Sequence, residues 1–167
     1  MTLFTANGLL LGTARGITEG IVDSYPPYLA ACYRDWLRTQ GTEQFSFTPP
    51  EHSWLNNLPA MNHSRAPGRT CLKALIHNNL GSVSDPKNNK GCGGIMRVVP
   101  IGLYFADKYF SDKIDRLAAE AASLTHGHEL GYIPAAMLAH IIHLLSHTDN
   151  CSVFRAVEDA KGAMVRQ

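Results

Sequence analysis

The chain has 167 residues, 45% of them apolar and 17% charged, with a net charge of +1. That length fits a single domain with a sizeable core, and the balance is that of a globular protein poor in surface charge. A near-neutral chain without a basic run argues against electrostatically driven nucleic-acid binding, and no apolar stretch reaches the ~18 residues of a membrane span.

Residues 2–15 are expected to form a helix from Leu3, Phe4, Leu9, Leu10 and Leu11, with Thr2 or Thr5 as cap and Gly16 as stop. Gly8 and Gly12, four apart, make a smooth ridge for a neighbouring helix. Tyr25-Pro26-Pro27 sets the start of a second helix, since Pro suits a first turn. It runs from Tyr28 to Gln40, with Leu29, Cys32, Tyr33, Trp36 and Leu37 at helical spacing and Gly41 as its end. Trp36 reads as a core residue. Residues 42–69 are rich in loop signals (Pro49-Pro50, Pro59, Pro67-Gly68), with one short turn at Ser53-Trp54-Leu55. His52 and His63 lie there without a partner pattern and read as loop histidines. A loop of this length is expected to be ordered and to border a cleft.

Thr70 caps a helix through about Asn79, with Leu72, Leu75, Ile76 and Leu80 inward and Gly81 closing it. After the polar Asp85-Pro86 turn, residues 94–106 form an apolar helix, bent or restarted at Pro100. Ser111 caps a helix to about Leu124, and Thr125-His126-Gly127 breaks it. Residues 129–146 form the next helix. Asn150 or Ser152 caps a last one that fades after Gly162. No strand periodicity, repeat or sustained heptad appears, so the expected fold is all-α, a globular array of helices.

Cys32, Cys71, Cys92 and Cys151 form no C-x-x-C pair, which excludes a zinc ribbon or a thioredoxin-type site. The N-terminus lacks the basic n-region of a secretory signal, so reduced thiols in a cytoplasm are expected. His140, His143 and His147 share one helix, but no Glu completes a H-E-x-x-H pattern, and a solvated polar face is expected instead of a metal site. The scattered acids Asp85, Asp112, Asp115, Glu120 and Glu129 form no catalytic pair.

The most informative stretch is Asn88 to Gly102. Gly91, Gly93 and Gly94 leave the backbone nearly bare ahead of an apolar segment. Where such a loop opens a helix, its N–H groups suit an anion, most often phosphate; the alternative is a tight turn before a buried helix. Arg97 has a charge-assisted bond to offer, to a ligand or to a neighbouring carboxylate. Cys92 reads as a small residue in a tight turn more readily than as a nucleophile. His126, at a helix end, suits either a phosphate or ribose hydroxyl or a C-terminal capping role.

The segments Tyr33-Arg34-Asp35-Trp36-Leu37-Arg38-Thr39-Gln40-Gly41, Arg65-Ala66-Pro67-Gly68-Arg69-Thr70, Gly91-Cys92-Gly93-Gly94-Ile95-Met96-Arg97-Val98-Val99-Pro100-Ile101-Gly102 and Leu124-Thr125-His126-Gly127-His128 follow in an order that resembles the ADP-ribosylglycohydrolase family. The likeness runs from Met1 to about Leu145. It implies an all-α enzyme that cleaves the glycosidic bond between ADP-ribose and a modified side chain, with ADP-ribose or an ADP-ribosylated protein as partner. It implies that Asn89, Lys90, Gly91, Cys92, Gly93 and Gly94 cradle the phosphates and distal ribose. Met96 and Arg97 would fix the loop, and His126 would line the cleft.

The resemblance also implies two Mg²⁺ ions, bound by an N-terminal Thr-Asp-Asp segment and a C-terminal Asp-x-Asp-Thr segment. Neither segment occurs among the 167 residues. The chain is therefore expected to be the central part of such an enzyme, without a metal site and inactive alone. Two other expectations stand beside that one. The chain can be a non-catalytic ADP-ribose reader, or a remnant whose exposed faces at 3–11 and 153–157 drive self-association.

Overall fold

The structure, a computed structural model, describes residues 1–20, 24–41, 51–106 and 111–166. Among them are seven α-helices and no strand. The helices are α1 (Thr2–Glu19), α2 (Pro26–Arg38), α3 (Arg69–Ile76), α4 (Val99–Tyr104), α5 (Ser111–Ser123), α6 (Glu129–His147) and α7 (Val153–Arg166). Short 3-10 turns lie at Trp54–Asn57, Pro59–Met61 and Ile95–Arg97. The fold is the all-α array that the periodicities predict. Pro49 and Pro50 of the predicted loop lie outside the described residues.

The packing follows from which positions are small. A Cβ on Gly8 would stand 2.9 Å from Leu29 Cδ2, and one on Gly12 2.8 Å from Tyr25 Cδ1. The glycine ridge of α1 is thus where α2 approaches. Helix α2 answers with Leu29, Cys32, Tyr33, Trp36 and Leu37, all buried, each large apolar side chain contributing roughly 1.5–3 kcal/mol. Helix α6 packs on α4, α5 and α7 and forms the other half of the array. Its contact face is made of Ala135, Ala136 and Ala139, which lets neighbours approach closely. By length and composition alone α6 is long and apolar enough to cross a membrane, although the sequence reading found no such stretch; its alanine face packs against neighbouring helices.

Several boundaries differ from the sequence reading. Helix α1 runs through Gly16 to Glu19, and Gly20, at φ 72°, is the actual left-handed cap, its N–H returning to Gly16 O. Neither Thr2 nor Thr5 caps it; Met1 stands at that position. Gly68, not Thr70, precedes α3, which ends at Ile76. Pro100 marks a restart: a 3-10 turn ends at Arg97, and α4 begins with Pro100 in its first turn. Helix α7 continues past Gly162 to Arg166, and Ser152 Oγ accepts from Arg155 N–H at 3.2 Å.

The α6 histidines are the main correction. His140 is 1% exposed, not solvated. Its Nδ1 lies 2.9 Å from both carboxylate oxygens of Asp115 on α5, and its Nε2 3.0 Å from Asp159 Oδ1 on α7. One imidazole ties three helices together. His143 is also buried. Hydrogen bonding to Asp115 raises the His140 pKa above the ordinary histidine value, against the opposing effect of burial. Burial pushes the Asp115 carboxyl up, while His140 holds it down.

A folded-state pKa above the unfolded one stabilises fully below the unfolded value of about 6.5. That stabilisation is lost as pH rises through the folded value. An NMR titration should therefore place the His140 midpoint above about 6.5, and Asp159→Asn should lower it. A wild-type midpoint below the ordinary value would contradict the clasp.

Candidate functional site

A cleft of about 540 Å³ opens between the start of α1, the end of α2, the segment Met61–Pro67, the start of α3, the glycine loop and His126. That volume lies within the range of small-ligand sites. Arg97 builds its floor. Its guanidinium is 1% exposed. Nη2 donates to Ala121 O at 2.6 Å, Ala122 O at 3.2 Å and Thr125 Oγ1 at 2.9 Å. Nη1 faces the sulfurs of Met1 at 3.6 Å and Cys71 at 3.9 Å. The guanidinium carbon stands 4.4 Å from the Tyr33 ring centroid, a cation–π contact. Tyr33 Oη in turn is 2.9 Å from Thr5 Oγ1. Ala121 and Ala122 lie in the last turn of α5, where a cation is favoured; the Ala122 carbonyl also accepts from the N–H groups of Thr125 at 3.2 Å and His126 at 2.9 Å. Of the protein partners open to Arg97, it meets helix-end carbonyls and Thr125 in place of a carboxylate.

The glycine loop lies on this floor. Gly91 has φ 134°, in the region that favours glycine. A Cβ on Gly93 would fall 2.7 Å from His126 Cε1 and 2.9 Å from its Nε2, so only a bare backbone fits over the imidazole. Met96 N–H donates to Cys92 O at 3.3 Å. Among the described residues, the N–H groups of Gly91, Cys92 and Gly93 have no protein acceptor. The loop is held from beneath: Asn89 O accepts from His128 N–H at 3.3 Å, and Met96 O from Thr2 Oγ1 at 3.0 Å. His128 caps α6, its Nδ1 accepting from Leu130 N–H at 3.1 Å.

His126 Nδ1 lies 2.8 Å from Thr125 Oγ1. Burial, aided by the Arg97 charge, lowers its pKa to about 4, so the imidazole is neutral at neutral pH. Of the residues the sequence singled out, Gly91, Cys92, Gly93, Met96, Arg97 and His126 line the cleft. Asn89, Lys90 and Gly94 do not. Asn89 anchors the loop, Lys90 is exposed, and Gly94 packs on Ala122 of α5.

Three other lining residues had no place at a ligand site in the sequence reading. His63 and Arg65 form one wall, Arg65 Nε donating to His63 Nε2 at 2.6 Å. Trp36 is core, as expected, but also borders the cleft. The signal for the first two was Arg65 to Thr70, a segment that carried the family likeness without a chemical role.

The profile of the ADP-ribosylglycohydrolase family matches residues 1–167. The chain belongs to that family. Neither the curated proteins nor the solved structures gave a match. Divalent metal use goes with the ADP-ribosylglycohydrolases as a family, but this cleft does not fit such an ion. Among the described residues, none that lines it is Asp or Glu. Among the described residues no three His, Cys, Asp or Glu side chains converge on a point that would hold one. The buried carboxylate of Asp35, on α2, is turned to structure: Oδ2 accepts from His52 N–H at 2.8 Å and Ser53 N–H at 2.7 Å. Hard cations favour clustered, charged oxygen donors, and the side-chain oxygens of the described lining are the neutral ones of Thr2, Thr39, Gln40 and Thr70.

Replacing Arg97 removes the ligand of two helix-end carbonyls and of Thr125 at once. Arg97→Met should cost about 3 kcal/mol or more of unfolding free energy in denaturant titration, with Arg97→Lys recovering only part. Loss below about 0.5 kcal/mol, the level of an ordinary surface change, would show that the floor does not depend on it.

Proposed function

We propose that the cleft binds ADP-ribose and that these 167 residues supply the binding part of an ADP-ribosylglycohydrolase without its catalytic part. The observation that carries this reading is the wall formed by Gly91, Cys92 and Gly93. Three residues that line the cleft carry N–H groups without protein acceptors among the described residues, on a loop seated over a neutral histidine. Backbone donors in a glycine turn suit phosphate oxygens. The neutral His126 keeps Nε2 for a ribose hydroxyl, since Nδ1 is engaged by Thr125. Asn89 and Gly94 support the loop from behind, and Met96 closes its rim.

The same lining explains why hydrolysis is not assigned to this chain alone. Cleaving a bond to the ribose anomeric carbon needs stabilisation of an oxocarbenium-like transition state and an activated water. Carboxylates serve both needs, and none lines the cleft among the described residues. In this reading the partner is ADP-ribose, free or on a modified protein, and the free thiols suit a cytoplasm. The exposed Leu3 and Leu10 of α1 and Val153 and Phe154 of α7 offer faces to another chain.

Calorimetric titration of the purified chain with ADP-ribose, with and without Mg²⁺, tests the reading. The expected result is saturable binding that does not change with Mg²⁺, together with no ADP-ribose released from a modified protein in a parallel incubation. Binding that requires Mg²⁺, or metal-dependent release, would contradict it.

A further inference from the structure

A nucleotide with a diphosphate brings two negative charges into the cleft, and backbone N–H groups alone offer only partial charges against them. The wall has few cations to answer with. Arg97 is consumed by helix-end carbonyls and stacked on Tyr33, and it is buried. His126 is neutral. Among the described lining residues, Arg65 is the remaining permanently charged side chain.

Arg65 is exposed, yet it is held. Its Nε donates to His63 Nε2 at 2.6 Å, and its Nη2 donates to Ala60 O at 3.0 Å. The backbone just after it is fixed by Ala66 at φ 48° and then by Pro67. A non-glycine residue at positive φ is uncommon and costs free energy, and such positions cluster where a segment is shaped for function. No carboxylate pairs with Arg65, and its Nη1 has no protein partner among the described residues. An arginine aimed by a histidine and a carbonyl, with a donor to spare and no anion of its own, is prepared for an anion from outside.

We propose that Arg65 is the cationic contact for the diphosphate of the bound nucleotide, with His63 as the residue that positions it. The proposal rests on the reading of the cleft as an ADP-ribose site, and it names the side chain that recognises the charged part of that ligand. Holding the guanidinium in advance lowers the ordering cost of binding. Because His63 Nε2 accepts from Arg65, the imidazole carries its proton on Nδ1.

The test titrates wild type, Arg65→Ala and Arg65→Lys with three probes: ADP-ribose, inorganic pyrophosphate and adenosine. Circular dichroism checks that each variant is folded. The expected result is about tenfold or greater loss of affinity for ADP-ribose and pyrophosphate in Arg65→Ala. Arg65→Lys should fall between, and adenosine affinity should not change. A wild type that binds pyrophosphate through Arg65 but not ADP-ribose would overturn the ADP-ribose reading and uphold the anion contact. ADP-ribose binding of equal strength in wild type and Arg65→Ala would overturn the Arg65 proposal and leave the reading of the cleft intact. A folded wild type that binds neither pyrophosphate nor ADP-ribose would overturn both.

Discussion

One buried guanidinium organises the half of the molecule that carries the cleft. Arg97 comes from the 3-10 turn after the glycine loop, reaches the last carbonyls of α5, touches Thr125 and stacks on Tyr33 of α2. Burying a charge is expensive unless its donors are met. Here Nη2 is met by three oxygens, one of them the Ala121 carbonyl at the end of α5, while Nε is buried without a partner among the described residues. The cost of burying the charge is thereby offset in part. The chain that follows α5 is then fixed, which sets Thr125 and His126. His126 in turn provides the surface on which Gly93 must lie. The glycine loop is thus shaped by an arginine and a histidine beneath it as well as by its own turn at Gly91.

That arrangement separates roles that a sequence motif runs together. Arg97 is a strut: it is buried beneath the cleft, with its guanidinium engaged by the end of α5, Thr125 and Tyr33. His126 is kept neutral by burial and by the same Arg97, so it suits hydroxyl recognition better than charge neutralisation. The backbone of Gly91 to Gly93 is left with its donors, and Arg65 is left with its charge. In the proposed reading the cleft takes an anionic, hydroxyl-rich ligand, and its described lining holds no carboxylate for bond cleavage. Membership of the glycohydrolase family and a described lining without acids are compatible when binding and catalysis are carried by different stretches of chain.

Much of the fold was legible because helical periodicity is local. The apolar spacing in α2, the paired glycines of α1 and the Pro100 restart all follow from residues within a few positions of one another. What the sequence hid was non-local. Gly16 read as a stop, yet a single helical glycine costs only about 1 kcal/mol, and Gly20 ends the helix better. His140, His143 and His147 read as a polar face because their partners lie elsewhere in the chain, Asp115 on α5 and Asp159 on α7. The glycine loop and His126 were visible as motif residues, while the contact that explains both, Gly93 over the imidazole, joins segments that only the fold brings together. Arg65 and His63 lay in a segment recognisable by likeness but mute in chemistry, since a loop's side-chain targets are set by what faces it.

The most direct test of a loop shaped in advance to receive an anion is amide hydrogen exchange, read residue by residue, with ADP-ribose and no divalent metal. The account predicts that the N–H groups of Gly91, Cys92 and Gly93 exchange readily in the free protein and slow when ligand is added, while the helix amides change little. Protection spread evenly over the helices, with none at those three amides, would contradict it. The ligand would then be stabilising the fold as a whole rather than meeting the loop.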